Sequence, residues 1–198
     1  MAVVTPVING YPVLEANVLK ARHTGRIWSQ YELDETSFST GMAYNGMILA
    51  IDDKNKSVKL PVATTSADEV YALHFSPEAE YEHKGLNTFA VAREAVEGEP
   101  NISIHYPRMF ELSVGDTFHT NCVKYDNSNL TSITTTDTDS VKSIVSGTTD
   151  HVYGGVDTSG FIMLKKNTKP TVGPVLECVA QDTLPNGDWA VKMVVRKA

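Results

Sequence analysis

Cysteine is scarce in this chain: Cys122 and Cys178 are the only two among 198 residues. Two cysteines are too few for a disulfide framework, and their wide separation excludes the Cys-X-X-Cys pairs of common zinc sites. We therefore expect two buried free thiols, no metal site and no cofactor.

Long apolar runs and an excess of basic charge are also lacking. No stretch approaches the roughly 20 apolar residues that a membrane-spanning helix needs. Pro6 interrupts the short apolar run at the start of the chain, and no basic segment precedes that run. The chain has 17 basic and 24 acidic residues, a formal net charge of −7, and a field of this sign repels phosphate backbones. The sequence therefore predicts no signal peptide, synthesis in a cytoplasm, and neither a membrane nor nucleic acid as a partner.

Common catalytic motifs are missing as well. The sequence has no Gly-X-Ser-X-Gly elbow, no His-Glu-X-X-His, no P-loop and no Gly-X-Gly-X-X-Gly. The six histidines are dispersed, and the acidic turn at residues 137–139 lacks the glycine and the distal glutamate of a calcium-binding EF-hand loop. We therefore predict that the chain has no catalytic residues and is not an enzyme.

One segment, residues 155–162 (Gly-Val-Asp-Thr-Ser-Gly-Phe-Ile), resembles a relaxed version of the segment that carries the catalytic aspartate of trimeric dUTPases. The Tyr-Arg pair of that family is missing here, and neither its phosphate-binding motif nor its C-terminal glycine-rich motif occurs. The simpler interpretation is a glycine-rich β-turn followed by a second turn that Asp157 holds.

β-Branched residues are abundant: valine and threonine both outnumber leucine, and such side chains fit a pleated sheet better than a helix. Alternating apolar residues predict a strand at 189–195, preceded by an Asn-Gly turn and by a partner strand at 175–180. A second hairpin is predicted at 46–62, with its turn at 52–56. We therefore predict a mainly β fold, built from antiparallel sandwich or barrel lobes with little helix.

Further strands are predicted where apolar runs lie between turn residues: 70–75, 108–112, 116–125, 141–145, 151–153 and 161–165. Three other segments carry helix signals. The pattern at 14–22 allows a short helix, and Ser76 with Pro77 is typical of a helix start. Residues 89–96 fit either a helix or a strand.

The chain divides into three parts. Residues 1–35 are weakly periodic and too apolar for a solvated linker, and we interpret them as an extended N-terminal arm. Residues 36–110 and 111–198 are interpreted as two β lobes, the second a C-terminal barrel or sandwich. Within the second lobe, the polar run 126–140 is predicted to form a surface loop or a hairpin tip.

Several of these segments together resemble structural proteins of tailed bacteriophages, and head decoration (capsid cement) proteins in particular. The resemblance lies in the apolar arm and in residues 46–49 (Gly-Met-Ile-Leu), 70–75 (Val-Tyr-Ala-Leu-His-Phe), 85–89 (Gly-Leu-Asn-Thr-Phe) and 112–118 (Leu-Ser-Val-Gly-Asp-Thr-Phe). It implies a virion protein, made in the host cytoplasm, that binds the major capsid protein on the capsid exterior and stabilises the head by bridging capsomers. It also implies a homo-oligomer or contacts between lattice neighbours.

If the arm docks on a capsid, its large apolar side chains are the expected contacts: Val3, Val4, Val7, Ile8, Tyr11 and Trp28. An arm that orders on docking loses conformational entropy, and main-chain hydrogen bonds along an existing sheet edge offset that loss. The alternative is that the arm packs on its own lobe.

Two other functions stay open on the residues alone. The first is another phage structural role, such as a tail, baseplate or head-fibre connector. The second is a ligand- or carbohydrate-binding β-sandwich, in which exposed aromatic residues such as Tyr125 and Tyr153 would form a platform.

Overall fold

The computed structural model describes residues 3–4, 12–15, 19–23, 25–39, 41–62, 70–76, 79–80, 86–87, 90–93, 102–103, 106–126, 130, 140–185 and 187–198. Strand accounts for 47% of the structure and helix for 4%, which confirms the prediction of a mainly β chain with little helix. The sheets curl into half-barrels, so the sandwich- or barrel-like character is confirmed as well.

The described residues contain 18 strands and one helix. The first twelve strands are β1 (Val3–Val4), β2 (Ile27–Trp28), β3 (Glu32–Leu33), β4 (Met42–Tyr44), β5 (Ile48–Asp52), β6 (Ser57–Lys59), β7 (Val70–His74), β8 (Ala79–Glu80), β9 (Leu86–Asn87), β10 (Ala90–Ala92), β11 (Ile102–Ser103) and β12 (Met109–Glu111). They are followed by β13 (Thr117–Thr120), β14 (Val123–Asp126), α1 (Val141–Ser146), β15 (Val152–Val156), β16 (Ile162–Lys166), β17 (Val175–Thr183) and β18 (Trp189–Lys197).

Two large sheets organise these strands. The seven-stranded sheet has the order β1-β14-β16-β15-β17-β18-β13, and the six-stranded sheet has the order β2-β12-β7-β5-β6-β3. A three-stranded sheet, β11-β10-β4, and the pair β8-β9 accompany them. Most neighbouring strands are antiparallel, while β14-β16, β3-β6 and β10-β11 are parallel.

The six-stranded sheet is buried on both faces, as the side chains of β5 show. Ile48 and Ala50 belong to a hydrophobic cluster shared with the seven-stranded sheet, whereas Leu49 and Ile51 belong to the cluster on the other face. Successive side chains of a strand point to opposite faces, so a continuous apolar run is what a strand buried on both sides requires.

The three predicted parts of the chain do not correspond one-to-one to the sheets. Strands β2 and β3 lie within residues 1–35, yet both belong to the six-stranded sheet because they find partners in β12 and β6. Leu73 of the first predicted lobe and Phe118 of the second meet in one hydrophobic cluster. Apart from β1, which joins the seven-stranded sheet, the strands of the two large sheets lie on opposite sides of the boundary near residue 110, while the facing surfaces of the two sheets share one core.

Both predicted hairpins are confirmed. Strands β17 and β18 pair antiparallel, and so do β5 and β6. In the turn between β17 and β18, Gly187 has a φ of 87° and its amide donates to the carbonyl of Leu184 at 2.8 Å. A positive φ is readily adopted by glycine, which is why the glycine of the Asn-Gly pair marks this turn.

The predicted strand at 141–145 is wrong, because these residues belong to helix α1. The Ser140 side chain caps the helix by accepting a hydrogen bond from the amide of Ser143 at 3.2 Å. Val141 and Ile144 are buried, and residues three apart lie on the same side of a helix. The run Val-Lys-Ser-Ile-Val is too short for its apolar spacing to distinguish the two structures.

Other segments also differ from the sequence expectation. The single strand predicted at 116–125 is divided into β13 and β14. Leu14 and Lys20 form isolated β-bridges with β13, not a helix, and within 89–96 the described residues include strand β10. Residues 77–78 lie outside the described residues, and strand β8 begins where the helical turn was predicted to continue.

Both cysteines are free and buried, as predicted. Burial raises the pKa of Cys178 to about 12 and raises that of Cys122 well above its ordinary value. Because the thiolate is the reactive form, we expect neither thiol to react with dithionitrobenzoate in the native protein at neutral pH and both to react in concentrated guanidinium. Stoichiometric labelling of either cysteine in the folded protein would contradict this expectation.

Candidate partner-binding surface

The N-terminal strand β1 lies at one edge of the seven-stranded sheet. Val3 and Val4 pair antiparallel with Asp126 and Tyr125 of β14. Among the described residues, no strand pairs with the outer side of β1. The main chain of this part of the arm is thus engaged by the protein's own sheet, and the outer edge of β1 is the place where a further strand would add.

The other predicted contact residues are placed differently. Val7, Ile8 and Tyr11 lie outside the described residues. Trp28 lies in β2, which pairs antiparallel with β12, and its ring centroid is 5.3 Å from that of Tyr31. Trp28 is therefore part of the six-stranded sheet and not of an extended arm, because β2 finds a strand partner there.

Strand β2 is an edge of the six-stranded sheet, and it carries an apolar residue that sequence reasoning missed. Ile27 is 53% exposed, although it is a large aliphatic residue. Its neighbour Trp28 is half-buried against the cluster on the opposite face. A strand of two residues is too short for alternation to reveal which side chain faces solvent.

The described residues near Leu14 and Lys20 lie along β13, at the other edge of the seven-stranded sheet. Leu14 and Lys20 form β-bridges with Thr120 and Thr117. The amide of Val13 donates to Asn121 Oδ1 at 2.7 Å, and Thr120 Oγ1 donates to the carbonyl of Val13 at 2.7 Å. These contacts cover the β13 edge, whereas β1 ends the sheet on the opposite side.

A groove of about 510 Å³ lies on the outer face of the seven-stranded sheet, where it is lined by Asp126 of β14, the strand that pairs with β1. Ile162 and Leu164 of β16 point into the core, so the alternate residues Met163 and Lys165 face outward into the groove. The loop after β16 forms one wall. Its Pro170 packs on Gly155, where a Cβ would lie only 2.7 Å from Pro170 Cγ. Sequence reasoning did not find this groove, because it forms only when the loop folds over the sheet.

Asp157 lies at one end of the groove. Its carboxylate accepts hydrogen bonds from Ser159 Oγ at 2.6 Å, from Lys124 Nζ at 3.2 Å and from the amide of Thr158 at 2.8 Å. Burial disfavours the ionised carboxylate, but these hydrogen bonds outweigh burial and hold the pKa of Asp157 below its ordinary value. The carbonyl of Asp157 also accepts from the amide of Gly160 at 2.9 Å, which confirms the predicted turn.

Two lysines of the groove have no such carboxylate partner. Lys165 and Lys169 are exposed, and neither ammonium group forms an ion pair with a described residue. Lys169 Nζ lies 5.3 Å from the ring centroid of Tyr153, a distance at which the cation is attracted by the ring. The groove therefore presents two unpaired positive charges to solvent.

The aromatic platform suggested for a carbohydrate-binding function is not formed. Tyr125 is 5% exposed and belongs to the hydrophobic core. Tyr153 contacts Lys169 and stacks against His151, with ring centroids 5.7 Å apart. Tyr125 points inward because it alternates with outward-facing residues along β14.

His74 and His119, two histidines that lie within strands, have side-chain partners. His74 is fully buried and contacts the carbonyl of Tyr44 and the hydroxyl of Ser76, each at 2.9 Å. His119 Nδ1 lies 2.7 Å from Asp182 Oδ2. In the part of the chain that the structure describes, no three His, Cys, Asp or Glu side chains are grouped so that they could hold a metal ion.

Within the same part of the chain, no helix has the length and apolar character needed to cross a membrane. No protein-family model, curated protein or solved structure matches this chain. The function is therefore inferred from the residues, their geometry and the resemblance that the sequence carries.

Proposed function

We propose that the protein is a non-enzymatic structural protein of a tailed-bacteriophage virion, which binds the major capsid protein on the outside of the head and stabilises the head by bridging capsomers. The observation that supports this proposal most directly is the edge position of β1. A strand that ends a sheet presents unpaired N–H and C=O groups to an extended chain beside it. Addition of a strand to such an edge is a common mode of protein recognition.

A bridging role is supported by the presence of a second edge on a different sheet. Strand β1 ends the seven-stranded sheet, and strand β2, with its exposed Ile27, ends the six-stranded sheet. A ligand that contacts two neighbouring subunits binds the assembled lattice more tightly than it binds either subunit alone. Binding of this kind stabilises the assembled state, because a ligand stabilises the state that it prefers.

We expect removal of residues 2–11 to weaken co-sedimentation with assembled heads on the order of tenfold or more, because each aliphatic side chain buried on docking contributes roughly 1.5–3 kcal/mol before the ordering cost is subtracted. The truncation keeps Pro12 and the Val13–Asn121 hydrogen bond. Since β1 pairs with β14 through only two residues, the melting temperature should fall by only a few degrees.

The matched control is Val62→Ser, which removes an apolar side chain that is 47% exposed outside the arm; this variant should bind heads normally. A large drop in melting temperature with normal residual binding would show that the arm completes the protein's own fold. Binding to tails or baseplates, and not to heads, would point to a connector role elsewhere in the virion.

A further inference from the structure

We propose that the groove on the outer face of the seven-stranded sheet binds a carboxylate side chain on an extended acidic segment of the partner protein. The inference rests on the proposed function, since it assigns the chemistry of the partner segment that lies next to the arm. It extends the binding surface from the edge of the seven-stranded sheet onto its outer face.

The charges of the groove favour an anionic group. Among the described residues that line or border the groove, Lys124, Lys165 and Lys169 contribute three ammonium groups and Asp126 and Asp157 contribute two carboxylates, which leaves a local charge of +1 in a chain whose net charge is −7. Asp157 already accepts hydrogen bonds from three donors. Asp126 is 5% exposed, and it too already interacts with another residue. The positive charges of Lys165 and Lys169 are therefore the ones left for a ligand.

The two free lysines approach the groove from different elements. Lys165 projects from β16 on the floor of the groove, and Lys169 belongs to the loop that forms the wall. Pro170 packs against Gly155 and fixes that wall on the sheet, while the Tyr153 ring attracts the Lys169 ammonium group. Groups that are held in place before binding lose less entropy when the ligand arrives.

The position of the groove connects it to the arm. Asp126 lines the groove and is also the residue that pairs with Val3. A partner segment that adds to the outer side of β1 lies two strands from Asp126, about 10 Å at the usual strand spacing, so an adjoining part of that segment can cross β1 and enter the groove. A single carboxylate fits the local charge of +1, whereas the overall acidity of the chain disfavours a polyanion such as nucleic acid.

The test uses the isolated full-length protein and two blocked pentapeptides, Ala-Ala-Glu-Ala-Ala and Ala-Ala-Gln-Ala-Ala. We expect the glutamate peptide to shift the NMR signals of Gly155, Lys165 and Thr171, and the glutamine peptide to leave them unchanged. In the double variant Lys165→Gln/Lys169→Gln, binding of the glutamate peptide should weaken about tenfold, because each exposed ion pair changes affinity by a factor of a few.

The matched control is Lys142→Gln/Lys197→Gln, which removes the same charge from exposed lysines outside the groove and should bind normally. Equal weakening in both double variants, equal shifts with both peptides, or no shift with the glutamate peptide would overturn the proposal. Preferential binding of inorganic phosphate at matched ionic strength would overturn it in favour of a phosphorylated ligand. Because no heads are used, peptide binding without head binding would contradict only the proposed function.

Discussion

Replacing Gly46 with alanine is expected to destabilise the protein by about 3–5 kcal/mol, since it combines backbone strain with overpacking. Gly46 forms the turn between β4 and β5 with a φ of 93°, a conformation that favours glycine. A Cβ at this position would lie 2.4 Å from Thr120 Oγ1 and 2.9 Å from the Cβ of Cys122. Both contacts are far shorter than van der Waals separation.

Thr120 has little freedom to move away from such a Cβ. Its hydroxyl donates to the carbonyl of Val13 at 2.7 Å and accepts from the amide of Cys122 at 2.9 Å. The turn itself is held to the end of β7, because the amide of Gly46 donates to the carbonyl of His74 at 2.9 Å. An alanine side chain would therefore force the turn away from the junction between β13 and β14.

The control for this substitution is Gly187→Ala. Gly187 has a similar φ of 87°, but a Cβ there would have no neighbour within 4 Å. Replacing Gly187 tests the backbone strain alone and should lower the free energy of unfolding by about 1 kcal/mol. Denaturant titration of the two variants measures the difference. Equal destabilisation would contradict the role of Gly46 in joining the two large sheets.

Acidification from about pH 6.5 to pH 4 is expected to remove roughly 3 kcal/mol of stability through His74 alone. Burial lowers the pKa of His74 from 6.5 to about 4 in the folded protein. The carbonyl of Tyr44 can only accept, so Nδ1 carries the proton of the neutral ring, and Nε2 accepts from the Ser76 hydroxyl. Ser76 Oγ also accepts from the amide of Arg108 at 2.8 Å.

The sign of the effect follows from which state binds the proton. Between pH 6.5 and 4 the unfolded chain holds a protonated His74 and the folded protein holds a neutral one. Stability rises with pH wherever the unfolded state binds more protons. Well above pH 6.5, the His74 side chain therefore does not reduce the free energy of unfolding. It reduces that free energy as the pH falls from 6.5 to 4 and causes no further loss below about pH 4.

Urea titrations of the native protein and of His74→Gln across this pH range measure the effect. The variant should be less stable at neutral pH, because glutamine does not reproduce both hydrogen bonds, but its stability should change with pH by roughly 3 kcal/mol less over the window. His23→Gln, at an exposed histidine, serves as the control and should keep the pH dependence that His74→Gln loses. Parallel pH profiles for the native protein and His74→Gln would show that His74 is not held neutral.

Local sequence patterns predicted the hairpins of this fold but not which strands belong to each sheet. The continuous apolar run at 46–51 and the alternation at 189–195 identified β5 and β18, because both patterns involve only residues that are close together in the chain. Helix α1 was missed because the run at 141–145 is too short for its apolar spacing to distinguish a helix from a strand. Strands β2 and β3 were assigned to the arm because two residues carry no periodicity, and only their pairing with β12 and β6 makes them strands.

The candidate site also combines features that local patterns predicted with features that they did not. The sequence identified an apolar N-terminal segment and the Asp157 turn, since both depend on residues that are close together in the chain. It did not identify the groove, which brings Asp126, Lys165 and Lys169 together from two strands and a loop. It also placed Trp28 on the arm and Tyr125 on the surface, whereas both are positioned by neighbouring strands.

Short-range patterns in the sequence are sufficient to predict a mainly β chain, the positions of its two clearest hairpin turns, and two buried, free cysteines. These properties follow from side-chain shape, alternation and turn residues, all of which act over a few neighbouring positions. The three-dimensional arrangement sets which strands end each sheet, which groove lysines lack a carboxylate partner among the described residues, and why Gly46 has no room for a side chain. Those properties depend on distant segments meeting in space, and a strand edge is open or covered only with respect to the chain that lies beside it.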